Sequence, residues 1–177
     1  MDERSIVEKL RKIELFQSIK DDDERLAKVS GIVSVRRCKA GHQVITEGEA
    51  GREFFVLNKG TVDVLKRTLE NDVFTIVTLT DEEDVFFGEL ALMDDELRSA
   101  SVTANTDCEF LVINRDDFNR LGEKDPRLGL LVTRAVGRAL STRLRKTNED
   151  LITLFEALVG EVAESGNLEE PGEDYRL

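Results

Sequence analysis

A single histidine, His42, and two cysteines are all that 177 residues supply of the usual metal-binding side chains outside the carboxylates. One imidazole cannot build the clusters that most metal centres and histidine-based catalytic sites require. No residue is therefore nominated as a metal ligand or a catalytic group, and the chain is not expected to be an enzyme. His42 follows Gly41 and reads as an exposed turn residue. Cys38 and Cys108 lie in apparent strands without metal-site spacing, which suits reduced core thiols. No apolar run reaches the length of a membrane span, and the charged start Asp2-Glu3-Arg4 is unlike a signal peptide; a cytoplasmic location is expected. Positive charge is also in short supply. The 25 Lys and Arg residues face 37 Asp and Glu, leaving a net charge of −12. That balance opposes non-specific attraction to nucleic acid or to an acidic membrane surface. Any anion site in this chain must be built locally, against the overall field.

What remains is a composition ordinary for a folded chain, 40% hydrophobic and 35% charged, long enough for one domain with a real core. Ile6, Val7, Leu10 and Ile13 recur at helical spacing and predict an amphipathic helix over 3–14. Asp21, with Glu24 three residues on, predicts a capping box at the start of a second helix. From 31 to 115 the texture becomes short β-branched and aromatic runs: Ile32–Cys38, Gln43–Glu47, Glu53–Leu57, Thr61–Lys66, Val73–Leu79, Ala100–Ala104 and Glu109–Ile113. Asn58-Lys59-Gly60 and Glu70-Asn71-Asp72 read as hairpin turns. Such spacing predicts a jelly-roll β-barrel. A jelly-roll metalloenzyme is excluded by the lone histidine.

Residues 116–160 should be helical. Asp116-Asp117-Phe118 opens a short helix ending near Gly122, and Asp125-Pro126 reads as cap and first turn of a long one. Leu128, Leu131, Val132, Ala135, Val136 and Ala139 make its apolar face. Leu140, Leu144, Thr147, Leu151, Leu154 and Leu158 then recur at alternating spacings of four and three, a seam along which two helices can pair. The alternative is that this stripe packs back on the barrel. The fold class is mainly β with flanking helices: N-terminal helices over 1–30, a jelly-roll barrel over 31–115 that carries a short helix within 87–102, and C-terminal helices over 116–160, the last of them long, closing a domain of 1–160. The acidic stretch 161–177 is expected to be a disordered tail.

The most informative segment is 87–102, Phe87-Gly88-Glu89-Leu90-Ala91-Leu92-Met93-Asp94-Asp95-Glu96-Leu97-Arg98-Ser99-Ala100-Ser101-Val102. Gly88 lets backbone approach a ligand, and the N–H groups of the turn it opens suit an anion. Arg98 can grip phosphate oxygens in a bidentate fashion, and Glu89 can accept from a ribose hydroxyl. Together they can make a pocket for a phosphorylated sugar. The acidic tip Asp94-Asp95-Glu96 would repel phosphate if turned inward and is expected to face water.

In order, spacing and residue type this segment resembles the phosphate-binding cassette of the cyclic nucleotide-binding domain family, which includes the catabolite activator protein, cyclic-AMP-dependent kinase regulatory subunits and cyclic-nucleotide-gated channels. Two departures stand nearby. Leu97 replaces the Pro common before the Arg, and Asp84-Val85 replaces the usual Gly-Asp. Lys39-Ala40-Gly41, Glu47-Gly48, Gly51 and Gly60-Thr61-Val62 fall where the family has its turn glycines, with a role in turn geometry. The resemblance implies a cyclic nucleotide as ligand, cyclic AMP first and cyclic GMP second, with no other cofactor. It implies ligand contacts from Phe87, Gly88, Glu89, Leu90, Ala91, Arg98, Ser99 and Ala100. Laid on the helix that follows the barrel in the catabolite activator protein, Arg143, Thr147 and Asn148 fall where an Arg and the adenine contacts lie, with Asn148 standing for a Ser. A solvated face for Arg143 and a polar seam position for Thr147 explain these two equally well.

The expected function is a cyclic nucleotide sensor that signals through movement of the C-terminal helix, dimerises through that helix, and acts on an unidentified effector protein. Direct nucleic-acid binding is not expected, because the few acidic residues after Gly160 cannot form a helix-turn-helix domain. Two alternatives stay open: a degenerate module used for protein interaction, and a piece of a catabolite-activator-type transcription regulator.

Overall fold

The computed structural model describes residues 1–164. They form two compact units, Met1–Val136 and a second from Gly137 onward.

The first unit begins with helix α1 (Glu3–Lys12), where the Asp2 carboxylate accepts from the Ser5 N–H at 2.8 Å and Ile6 and Leu10 are buried. A 3₁₀ turn over Glu14–Ile19, unanticipated by periodicity, buries Leu15, Phe16 and Ile19. It also moves the next helix. The Asp22 N–H bonds back to the Ile19 carbonyl at 2.9 Å, so α2 (Asp23–Ser30) is capped by Asp22, whose carboxylate accepts from the Arg25 N–H at 3.0 Å. The expected capping box of Asp21 and Glu24 does not form. Glu24 pairs instead with Lys28 at 2.8 Å.

Eight strands follow: β1 (Val33–Cys38), β2 (Gln43–Ile45), β3 (Glu53–Lys59), β4 (Thr61–Arg67), β5 (Val73–Thr80), β6 (Phe86–Phe87), β7 (Ser101–Ala104) and β8 (Cys108–Asn114). They make two four-stranded antiparallel sheets, ordered β1-β8-β3-β6 and β2-β7-β4-β5. This is the expected jelly roll. Phe55, Leu57, Val62, Phe87, Val102, Phe110 and Val112 meet in one core cluster. There the Phe55 and Phe87 rings stack at 5.3 Å, and both meet Phe110 edge-on at 5.9 Å. In β3 every residue from Phe54 to Leu57 is at most 1% exposed, so the strand is buried on both faces. At the other extreme β5 is an edge strand, exposed over most of its length. The β3–β4 hairpin turns at Gly60, φ +101°, later than the expected Asn58-Lys59-Gly60 turn because Asn58 and Lys59 still belong to β3.

Helix α3 (Arg115–Lys124) is capped by Asn114, which accepts from the Asp116 N–H at 2.8 Å. The expected start at Asp116 and end near Gly122 are both corrected. Gly122 lies inside the helix because it serves packing. A Cβ on Gly129 of the next helix would stand 3.0 Å from the Gly122 Cα. That helix, α4 (Pro126–Glu164), starts as expected on Asp125, whose carboxylate accepts from the Leu128 N–H at 3.0 Å. Lys28 at 3.2 Å and Arg25 at 3.4 Å add charge to the same carboxylate. Gly129→Val would force two helix backbones apart and is expected to destabilise the chain by about 1–3 kcal/mol. A denaturant midpoint unchanged from the parent would show that the crossing tolerates a side chain.

In the second unit Leu144, Leu151, Leu154 and Leu158 are each more than half exposed. Of the expected tail, 165–177 lie outside the described residues, and α4 continues through Glu164. No helix among the described residues is long and apolar enough to cross a membrane.

Candidate functional site

Gly88 is the pivot of the 87–102 segment. It leaves β6 at φ +74° and opens a 3₁₀ turn over Glu89–Leu92. A side chain there would suffer twice. The backbone is left-handed, and a Cβ would stand 2.9 Å from the Arg98 Nη1 and 3.0 Å from the Glu53 carbonyl oxygen.

Arg98 is held by backbone on every side. Its Nη2 donates to the Glu53 carbonyl at 2.7 Å and its Nη1 to the Gly88 carbonyl at 3.4 Å. Its own N–H donates to the Glu49 carbonyl, and its carbonyl accepts from the Gly48 N–H, both at 2.9 Å. Ala50 and Leu97 form a further antiparallel bridge. Gly51 lies flat against the guanidinium, since a Cβ there would sit 2.1 Å from Nε. Its φ is not in the positive range, so the expected turn role is corrected: Gly51 is small because Arg98 passes over it. Partial burial depresses the affinity of the guanidinium for its proton, while the nearby charges of Glu53 and Glu89 act in the opposite sense. An arginine stays charged through such a shift. Glu89 is 4% exposed, a burial that carboxylates reach only when they are partnered or functional.

The other nominated residues are distributed around this pair. Phe87 belongs to the core, its ring stacked on Phe55, so only its backbone borders the turn. Ala91 is buried, Leu90 is 40% exposed, Ala100 is half-buried and Ser99 is exposed. The Ser99 carbonyl accepts from the Lys66 ammonium at 2.6 Å, which also pairs with Glu47 at 2.6 Å. Arg143, Thr147 and Asn148 lie exposed on α4 in the second unit. No group of three potential metal ligands occurs among the described residues.

The acidic tip is anchored. Arg115, 7% exposed at the start of α3, donates to the Asp94 carbonyl and to the Asp95 carboxylate, and Arg52 stands 3.7 Å from the same carboxylate. Asp95 therefore does more than face water, although its side chain remains largely exposed. The Arg115 guanidinium holds the Asp95 carboxyl below the usual carboxylate range. With the folded value depressed, this contact contributes at pH above about 4 and is lost as pH falls through the folded value. Arg115→Met should lower the Tm by roughly 3–10 °C at neutral pH through the lost charge-assisted bonds. The gap between variant and parent should narrow below pH ~4. A gap that stays constant with pH would assign the loss to packing alone. Sequence reasoning missed Glu53 and Arg115 and gave Gly51 a turn role in place of its contact with Arg98. Gly51 carried a signal in its spacing from Gly48, whereas nothing local distinguishes Arg115.

Asp84, one of the two departures noted in the sequence, takes φ +50°. It occupies the left-handed position that a Gly would take freely, which Asp tolerates better than most residues. Lys9 of α1 pairs with it at 2.8 Å.

Residues 35–125 match the family model described as the cyclic nucleotide-binding domain. The chain is 34% identical over 112 residues to the cAMP-dependent protein kinase regulatory subunit of Aspergillus niger, covering 63% of this chain and 26% of that protein. It is 36% identical over 112 residues to human cGMP-dependent protein kinase 2, again over 63% of this chain but 14% of the kinase. The chain thus spans about a quarter of the first relative's length and less of the second's. A solved cyclic nucleotide-binding domain from Methylobacillus flagellatus superposes with a TM-score of 0.72 at 25% identity, covering 85% of this chain and 83% of that one.

Proposed function

The chain belongs to the cyclic nucleotide-binding domain family, and from that membership we propose that it binds a cyclic nucleotide in the 87–102 cassette and serves as a regulatory module. The observation that carries the proposal is Arg98, a partly buried cation positioned by the Gly88 and Glu53 carbonyls beside a buried Glu89. Arg98 takes the cyclic phosphate, exchanging carbonyl partners for charged oxygens. Glu89 accepts from the ribose hydroxyl, and the backbone of Gly88, Leu90 and Ala91 borders the phosphate. Phe87 supports the turn from the core.

Cyclic AMP is the preferred ligand in this proposal, on the resemblance of Thr147 and Asn148 to adenine contacts; Arg143 is assigned to the ligand on the same ground. Ligand binding biases the position of α4 by favouring the arrangement it contacts, and a second copy pairs along the Leu144–Leu158 seam. The relatives named above make a protein kinase the first class of effector to try. No catalytic step is proposed.

Calorimetry with cyclic AMP and cyclic GMP tests the reading. Saturable binding of either is expected, with a native state stabilised by roughly 2.7 kcal/mol at a hundredfold excess over Kd. Failure of both nucleotides at millimolar concentration to bind or to move the thermal transition would favour a module that kept the fold and lost the ligand.

A further inference from the structure

Cys38 and Cys108 stand directly opposite one another as the final pair of the antiparallel β1–β8 ladder. Directly opposed residues point to the same face, with Cα atoms about 4.5 or 5.5 Å apart according to the kind of pair. Both separations fall within the ~4.4–6.8 Å that a disulfide spans. Cys108 is 4% exposed and part of the core cluster, and half-buried Cys38 packs against that cluster. The Cys108 thiol lies against the Thr106 and Thr61 carbonyls at 3.3 and 3.4 Å. Gly60 leaves it room, since a Cβ there would stand 2.7 Å from Sγ.

The pair is reachable from solvent. A cleft of about 620 Å³ opens onto both cysteines, and the cations Arg37, Lys39 and Lys59 line it. Glu109 and Asp107 pair with two of these cations, at 2.7 and 2.6 Å. Three cations against two carboxylates give the cleft a small positive balance within a chain of net charge −12, which admits an anionic reagent.

We propose that Cys38 and Cys108 are a modification site, closing a reversible intrachain disulfide by exchange with an anionic low-molecular-weight disulfide of the glutathione class. Cys38, the more exposed, reacts first. Its thiolate attacks one sulfur of glutathione disulfide, the S–S bond breaks, and a glutathione thiolate leaves. The Cys108 thiolate then attacks the Cys38 sulfur of the mixed disulfide and expels the second glutathione thiolate. The protein thiols lose two electrons, glutathione disulfide gains them, and the two thiol protons end on the two departing glutathiones. Burial, with Cys108 beside it, pushes the Cys38 thiol above its usual range, so the reaction accelerates as pH rises. The bond staples β1 to β8, the strand whose far end delivers Asn114 and Arg115 to the base of α3 and to the cassette tip.

The test equilibrates the whole chain with excess glutathione disulfide at mildly alkaline pH and reads intact mass, thiol alkylation and Tm. The expected product is a chain not cross-linked to another, lighter by two hydrogens, with no alkylatable thiol and a Tm raised by roughly 5–10 °C, all reversed by dithiothreitol. Cys108→Ser should stop at a glutathione adduct on Cys38. Two thiols still alkylatable, a glutathione adduct that persists on the parent chain, or chains linked to one another would each overturn the proposal.

Discussion

Replacing Arg98 with Leu is expected to weaken cyclic nucleotide binding by at least about tenfold while leaving the Tm of the unliganded chain nearly unchanged. A charge-assisted hydrogen bond contributes about 1.5–3 kcal/mol, and 1.4 kcal/mol is a factor of ten. The guanidinium bonds to two backbone carbonyls, of Glu53 and Gly88. Its loss frees these acceptors at a partly exposed position, so the fold should bear the substitution. Gly51→Ala reaches the same end without touching the cation. The added Cβ would occupy the place of Nε, 2.1 Å away, and the flexible arginine would yield before the backbone does. Isothermal calorimetry on both variants checks this. If Arg98→Leu binds as the parent does, the phosphate lies elsewhere and the cassette assignment fails. If only Gly51→Ala binds normally, the arginine has room to settle in a second working position.

What the sequence made legible was the local part of this arrangement. The cassette is contiguous, and its elements are diagnostic because each has a conformational or chemical reason to be one residue type: Gly88 for a left-handed turn under a guanidinium, Arg98 for an anion. The strands were legible for the same reason, as β-branched runs between turn residues. The rest depended on contacts between distant segments. Arg115 follows a strand like any other arginine, and only the packing of α3 carries it to Asp94 and Asp95. Gly122 reads locally as a helix end and proves to be half of a helix crossing with Gly129. The Asp22 cap was displaced from Asp21 because the Glu14–Ile19 turn is too short to show a period. Phe86 and Phe87 pair with Val56 and Phe55, a two-residue strand below the length at which alternation can be seen. Glu53 contributes a carbonyl, and a backbone acceptor leaves no mark on the sequence at all.

Leu151→Glu combined with Leu158→Glu should convert the chain from dimer to monomer with the barrel still folded. In the second unit Leu144, Leu151, Leu154 and Leu158 are 62%, 63%, 58% and 52% exposed, and Ile152 and Phe155 beside them are 59% and 67% exposed. A helix presenting so continuous an apolar stripe gains by covering it, and the alternating spacing of four and three is the geometry of two paired helices. Thr147, on the same seam, gives up some pairing stability and can fix the register. Fully burying a leucine is worth about 1.5–3 kcal/mol. Losing four across a dimer, and facing carboxylates in their place, should raise the dimer dissociation constant at least about a thousandfold. Sedimentation velocity at tens of micromolar separates the outcomes. A parent chain that sediments as a monomer with and without cyclic nucleotide would remove the dimer from the proposed function. A parent dimer that survives both glutamates would place its interface on another surface, and exposed β5, with Val73, Phe74, Ile76 and Val77 open to solvent, would be the next to substitute.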